Sequence, residues 1–200
     1  MFGGIAFPVE PVEDNRVAAC DDAALAVRAR DDADAFGTLY ERYVDRVYAY
    51  LRVRASSPEE AADLTQQVFL RAFDAIAHYQ PGRASFATWL FRIARNAATD
   101  AHRRSKPTVS WDLLPAPLQP IAKDDPEAGA LRAETHARLR GMLERCDART
   151  RELLVLRYAA GLSIAEIAPI VGKSEAAVKK GLTRALRTLR ALKEQYDHDR

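Results

Sequence analysis

Between residues 86 and 104 the apolar positions recur with the period of a helix. Phe86, Trp89, Leu90, Ile93, Ala94 and Ala97 fall at i, i+3, i+4, i+7, i+8 and i+11, a spacing that fits a helix and fits a strand poorly. Arg92, Arg95, Asn96, His102, Arg103 and Arg104 stand off that stripe. One face is therefore suited to a core, while another offers guanidinium forks to phosphates or base edges. Ser85 is placed to cap the start, and Lys106-Pro107 ends the helix, because the residue before proline is pushed out of the α region. By periodicity alone, the same pattern also describes an ordinary amphipathic helix with a solvated basic face.

Nearly everything before Pro107 reads as helix. The first twenty residues, with Gly3, Gly4, Pro8 and Pro11, read as a loose tail. Asp22 to Arg30 is a short amphipathic helix. Asp34 to Arg54 is a longer one, with Phe36, Leu39, Tyr40, Tyr43, Val47, Tyr50 and Leu51 in period, an aromatic stripe read as core with its hydroxyls at the wet margin. Ser57 at N-cap, Pro58 at N1 and Glu60 at N3 predict a capping box. The helix they open turns Ala61, Leu64, Val68, Ala72 and Ile76 inward and leaves Asp63, Gln66, Gln67, Arg71 and Asp74 outside. Its polar face, rimmed by Phe69, Leu70 and Phe73, is either a docking surface or solvated. The loop from His78 to Ser85 turns at Pro81-Gly82. It either offers Tyr79 and Arg83 to an unpaired base or is a plain connection.

Pro107 to Gly129 has no period and carries five prolines (Pro107, Pro115, Pro117, Pro120, Pro126) with Asp124-Asp125, the composition of a linker. Extended, it spans roughly 75 Å at about 3.3 Å per residue. Trp111, Leu113 and Leu114 are apolar for a free tether, so it is expected to dock somewhere. A second helical domain begins near Ala130. Leu131 to Arg145 is one helix; Thr150 caps the next, which ends at Gly161; Ser163 with Glu166 opens a third; Gly172 turns the chain; Ser174 caps a long helix with Val178, Leu182, Leu186 and Leu189 inward. Helix, short Gly-containing turn, helix is the helix-turn-helix layout. Lys179, Lys180, Thr183 and Arg184 lie outward near the start of its second helix. The expected fold is all-α, two small helical domains joined by a Pro-rich linker, with boundaries 1–20 (flexible extension), 21–106, 107–129 (linker) and 130–195.

Composition narrows the function. With 48% hydrophobic and 29% charged residues, the chain is globular and long enough for one domain or two small ones. No run approaches the roughly 18 apolar residues of a membrane span, and the N-terminus lacks the basic and apolar regions of a secretory signal, so a cytoplasmic location is expected. Cys20 and Cys146 are far apart with no CxxC and read as free thiols. The net charge of +2 hides a polarised chain. Residues 1–35 hold eight acids against Arg16, Arg28 and Arg30, whereas residues 171–193 hold Lys173, Lys179, Lys180, Arg184, Arg187, Arg190 and Lys193 against Glu175 alone. A basic C-terminal segment and a basic middle helix suggest two contacts with a polyanion. His78, His102, His136 and His198 lack partners at catalytic or metal spacing, and no phosphate-cradling Gly loop is present. An enzyme is thus the weakest reading, and neither metal nor cofactor is expected.

DLTQQVFLRAF (63–73), FATWLFRIARNAATDAHRR (86–104) and RELLVLRYAAGLSIAEIAPIVGKSEAAVKKGLTRALRTLR (151–190) resemble, in order and spacing, the bacterial sigma-70 family, and within it the small extracytoplasmic-function (ECF) group. The resemblance covers roughly residues 22 to 192. It implies a dissociable initiation subunit of RNA polymerase with no catalytic site of its own. In the family, the helix matching 63–73 docks on the clamp helices of the polymerase's largest subunit, which carries over to Asp63, Gln66, Gln67, Phe69 and Phe73. The loop and helix matching 79–104 read and open the −10 promoter element, which carries over to Tyr79, Arg83, Ser85, Trp89, Arg92, Asn96, Arg103 and Arg104. The helix-turn-helix reads the −35 element as duplex, which carries over to Ser174, Lys179, Lys180, Thr183, Arg184 and Arg187. The resemblance also implies that the linker threads toward the polymerase cleft, and that an anti-sigma factor joins core RNA polymerase and promoter DNA as a partner, without membrane insertion. Four positions depart from the family pattern. Gln67 stands where an acid is frequent, Gly181 where arginine is frequent, and Leu90 where larger members have an aromatic, leaving Trp89 as wedge or core. Pro169 falls inside the first helix of the helix-turn-helix, where it removes a donor and is a candidate kink. A stand-alone duplex-binding regulator would explain the basic C-terminal helix but not the 63–73 motif or the basic middle helix.

Overall fold

A computed structural model of the chain describes residues 16–104 and 145–198. Among the described residues there are seven α-helices and no strand. They are α1 (Arg16–Arg28), α2 (Ala33–Arg52), α3 (Pro58–Ala75), α4 (Phe86–Arg104), α5 (Ala148–Leu154), α6 (Ile164–Val171) and α7 (Glu175–His198). A 3-10 turn, Ile76–His78, follows α3, and a π turn, Val155–Ala159, continues α5. The linker from Pro107 to Gly129 and the helix expected from Leu131 onward lie outside the described residues. None of the described helices is long and apolar enough to cross a membrane.

Helix starts follow cap chemistry, with three corrections to the expected boundaries. α1 begins at Arg16, so the N-terminal stretch read as tail already includes helix before residue 20. α2 begins at Ala33 because the Asp32 carboxylate accepts from the amides of Asp34 and Ala35. Ser57 caps α3 by accepting from Glu60 N at 3.1 Å, but the Glu60 side chain turns to the amide and hydroxyl of Ser56, so the expected reciprocal bond is displaced by one residue. α5 is capped by Asp147, which accepts from Arg149 N and Thr150 N, both at 3.0 Å. Thr150, the expected cap, lies inside the first turn and donates its hydroxyl to Asp147 at 2.6 Å; one carboxylate serves three donors that a hydroxyl could not. Ser163 and Glu166 do form the predicted capping box, and Gly172, at φ 64° and ψ 42°, ends α6 in the left-handed conformation. α6 runs through exposed Pro169 to Val171 rather than breaking there.

The α2, α3 and α4 stripes meet in a core of Leu39, Val47, Leu51, Val68, Ala72, Leu90 and Ala94. Each larger aliphatic side chain buried this way contributes about 1.5–3 kcal/mol. The core does not stop at the N-terminal helices. Leu153, Val155, Leu156, Leu162, Ile167 and Val178 belong to the same buried cluster, because α6 packs on α4 and the π turn packs on α2. Phe91, which lies off the predicted α4 stripe, is completely buried in the same cluster, edge-on to Tyr50 at 5.6 Å. A smaller cluster of Cys146, Leu154, Ala185 and Leu189 holds α5 to α7.

Candidate nucleic-acid interface and docking face

On α3 the inward positions are Ala61, Leu64, Val68 and Ala72, as the pattern requires, and Asp63 and Gln66 are exposed with Gln67 half-buried. The three apolar rim residues separate. Leu70 is 65% and Phe73 48% exposed, whereas Phe69 is only 5% exposed. Phe69 packs edge-on against Tyr40 at 4.7 Å and Phe73 against Phe36 at 5.0 Å. Phe69 therefore supports the face from beneath instead of presenting a ring to a partner. Tyr40, read from the sequence as core, stands 41% exposed beside it. Tyr40, Leu70 and Phe73 leave apolar surface uncovered next to the acid and amides of α3.

The loop before α4 is built around a buried ring. Tyr79 is 1% exposed, in tilted and edge contact with Trp89 (5.5 Å) and Phe86 (5.9 Å). Its hydroxyl donates to Ala84 O at 3.1 Å, and its carbonyl accepts from Arg30 at 2.7 Å. Burial pushes the phenol above its ordinary range. The expected stacking of Tyr79 on a base does not fit this placement, because its faces are used inside the protein. Trp89 is half-buried, against Tyr79 and Phe86, and Arg83 is exposed beyond the positive-φ turn at Gly82. Ser85 caps α4 through Thr88 N at 3.2 Å. Arg92, Asn96 and Arg103 are exposed along the outer face. The Arg104 side chain lies outside the described residues.

On α7 the division of faces is clean. Val178, Leu182, Ala185 and Leu189 are buried, while Lys179, Lys180, Thr183, Arg184 and Arg187 are exposed. Ser174 accepts from Ala177 N at 3.3 Å and caps the helix, so its role here is to orient the N-terminal turn that presents the basic residues. Gly181 faces inward, where a Cβ would meet Leu153. Any side chain at this position requires the Leu153 Cδ1 methyl to shift.

Sequence reasoning missed the residues that join the two halves. Arg46 and Tyr50 on α2, and Arg54 in the turn that follows it, all face the C-terminal helices. Arg46 donates from Nε to Ala160 O at 2.8 Å and from Nη2 to Gly161 O at 3.3 Å, with its guanidinium 4.8 Å from the Tyr43 ring centre. The cation thus satisfies carbonyls freed where the π turn ends at left-handed Gly161. Tyr50 Oη donates to Glu152 Oε1 at 3.1 Å, Arg54 is ion-paired with the same carboxylate, and Arg95 Nε approaches it at 3.6 Å. From α4, Ser85 donates to the Glu166 carboxylate (3.3 Å), Thr88 to Glu166 O (3.3 Å) and Arg92 to Pro169 O (3.0 Å). Two predicted promoter contacts, Ser85 and Arg92, are therefore engaged with α6. The period-four spacing of Arg46, Tyr50 and Arg54 was visible in the sequence; their acceptors, about a hundred residues away, were not.

The family model for Sigma-70 region 2 matches residues 39–108, and that for Sigma-70, region 4 matches residues 136–189. The ECF RNA polymerase sigma factor BldN of Streptomyces coelicolor is 36% identical over 185 residues, 88% of this chain and 69% of the relative. The ECF RNA polymerase sigma factor SigD of Mycobacterium tuberculosis is 31% identical over 173 residues, 84% of this chain and 82% of the relative. Among solved structures, CnrH in complex with the cytosolic domain of CnrY superimposes with a TM-score of 0.67 at 28% identity, covering 87% of this chain and 97% of CnrH. Two region models in the order of the helices, and relatives matched over most of their length, put the chain in the sigma-70 family of RNA polymerase sigma factors, in its extracytoplasmic-function group.

Proposed function

We propose that this chain binds core RNA polymerase and directs promoter-specific initiation, supplying recognition and no catalytic group. Residues 21–106 dock on the clamp helices and open the −10 element, residues 107–129 link, and residues 130–195 read the −35 element as duplex. The observation that carries this reading is the α7 face: Lys179, Lys180, Thr183, Arg184 and Arg187 are all exposed on one side of a helix whose other side is core. A helix that presents its N-terminal residues this way enters a major groove, with lysine and arginine serving both phosphates and base edges. Asp63, Gln66, Gln67, Leu70 and Phe73 form the polymerase contact. Arg83, Trp89, Asn96, Arg103 and Arg104 contact the −10 strand, joined by Ser85 and Arg92 once α6 has moved away. Tyr79 holds the loop from within. CnrH is known in complex with the cytosolic domain of CnrY, and a proteinaceous inhibitor, an anti-sigma factor, is the corresponding partner proposed here, in the cytoplasm.

The test is run-off transcription by core polymerase, with and without the protein, on promoters selected from fragmented genomic DNA. Promoter-specific transcripts that vanish on Lys180→Glu or Arg184→Glu are expected. Duplex binding by the protein without any polymerase-dependent transcript would overturn the reading in favour of a stand-alone regulator.

A further inference from the structure

The loop before α4 is fastened from a second element. Arg30 stands in the turn between α1 and α2, outside both helices, yet its Nη2 donates to the carbonyl of Tyr79 at 2.7 Å, 49 residues along the chain. Arg28, at the end of α1, pairs with Asp32 at 2.9 Å, whereas Arg30 is turned to the loop. Tyr79 is where the chain leaves the 3-10 turn Ile76–His78: its amide still bonds to Ile76 O at 3.0 Å, while its own φ of −63° and ψ of 130° are already extended. A carbonyl at a helix end lacks a partner within the helix, and a guanidinium supplies a charge-assisted one.

The far end of the loop is held by the same residue. Tyr79 Oη donates to Ala84 O at 3.1 Å, so Tyr79 grips both sides of residues 80–83. Between these two points the chain turns at positive-φ Gly82, with Arg83 N bonded to Gln80 O at 3.3 Å. Gln80, Pro81, Gly82 and Arg83 are all exposed. An exposed turn on a locked base suits recognition of a single group, because a site loosened by about 1 Å loses much of its discrimination.

We propose that Arg30 is a positioning residue for promoter recognition: held against the Tyr79 carbonyl, it fixes residues 80–83 in the shape that accepts one extruded base of the −10 strand, and so sets how sharply that base is distinguished. Arg30 itself touches no base. This role rests on the reading of the loop as part of the −10 contact, and adds to it a residue outside both the loop and α4 on which selectivity depends. Phe86 and Trp89 keep the Tyr79 ring in place, so loss of the guanidinium frees the backbone of the loop without emptying the core.

The experiment uses the full chain and two variants that each cut one fastening. Arg30→Met keeps the reach of the side chain and removes its donors. Tyr79→Phe keeps the ring and removes the bond to Ala84 O. Trypsin cleavage after Arg83 in the free protein, followed by mass spectrometry, reports how often the loop opens. Run-off transcription by the holoenzyme, on a selected promoter carrying each base in turn at each −10 position, reports discrimination as the ratio of the best base to the next. In both variants, cleavage after Arg83 is expected to rise at least about fivefold, and the ratio at one −10 position to fall about tenfold. A control series of substitutions in the −35 element should keep its ratios. A merely structural role would lower output from every promoter alike and leave all ratios as they are. Faster cleavage with unchanged ratios would overturn the positioning role and leave the loop a plain connection. Unchanged cleavage in both variants would overturn the fastening itself. Thermal melting checks that each variant is folded, and if one is lost the other still frees the base of the loop. A wild-type holoenzyme without promoter-specific transcripts would instead overturn the initiation reading, which the wild-type reactions report before any variant is compared.

Discussion

A Cβ placed on Gly181 would lie 2.6 Å from Leu153 Cδ1, closer than two carbon atoms tolerate. Leu153 is buried, so its methyl has little room to yield. In an open helix, Gly181→Val would gain a few tenths of a kcal/mol of propensity, but overpacking costs about 1–3 kcal/mol. Net destabilisation of about 1–3 kcal/mol is expected by chemical unfolding. Leu153→Ala in the same chain should make the Gly181→Val substitution nearly neutral, since the pair shares one space.

The Asp147 cap carries a pH signature. Bonds from the Thr150 hydroxyl, then from the Thr150 and Arg149 amides, hold its carboxyl below the usual aspartate range. The native state thus favours the charged form. The associated stability is full above the unfolded value and is lost as pH falls through the lower native one. Asp147→Ala is expected to cost about 1 kcal/mol at pH 7. The gap to wild type should shrink below about pH 4, as read by urea unfolding at a series of pH values.

The α3 rim residues divide into support and contact. Phe69→Ala empties a buried site and should cost about 3–5 kcal/mol. Phe73→Ala and Leu70→Ala act on exposed positions and should leave stability within about 0.5 kcal/mol, while weakening core polymerase binding at least about tenfold if these are anchoring contacts. Thermal melting and a pull-down titration with core polymerase read the two effects independently.

Three buried phenols set the alkaline limit. Burial raises Tyr43, Tyr50 and Tyr79, and Tyr43 is raised further by its hydrogen bond to the Asp22 carboxylate. Raised acids remain protonated in the native state while the unfolded chain ionises above about pH 10. Stability is therefore full below that pH and falls above it, by about 1.4 kcal/mol per pH unit for each phenol. Tyr43→Phe should remove one such share of the slope between pH 10 and 12, measured against the wild-type protein by denaturant unfolding.

Helices were legible in the sequence because their causes are local. The α4 stripe, the Ser163–Glu166 box and the Gly172 turn each depend on residues within one or two turns, and each forms as the spacing requires. Cap choice was less legible: Asp147 and Thr150 are both good caps three residues apart, and only the geometry shows the carboxylate collecting the threonine hydroxyl as well as two amides. The basic face of α7 was read correctly because exposure follows period. Tyr79 was misplaced because an aromatic next to Pro-Gly looks alike whether its ring turns outward or inward under Trp89. The contacts between the two halves were not legible at all. Phe91 and Thr88 lie off the α4 stripe: Thr88 bonds to Glu166 O of α6, and Phe91 packs edge-on against Tyr50, which itself bonds to Glu152 of α5, partners about eighty to a hundred residues away that no local spacing announces.

The buried cluster that runs unbroken from Leu39 through Phe91 to Leu156 and Ile167 has a consequence for how the molecule comes apart. Elements that share one core lose it together. Amides in the middle of α2 and in the π turn should exchange with solvent hydrogen through the same opening event, at nearly the same free energy, although more than a hundred residues separate them. The end of α7 that rests on Cys146, Leu154, Ala185 and Leu189 should open earlier and independently. In the closed chain, the boundary of cooperative unfolding thus runs within the helix-turn-helix, along α7, and not between the N-terminal and C-terminal halves.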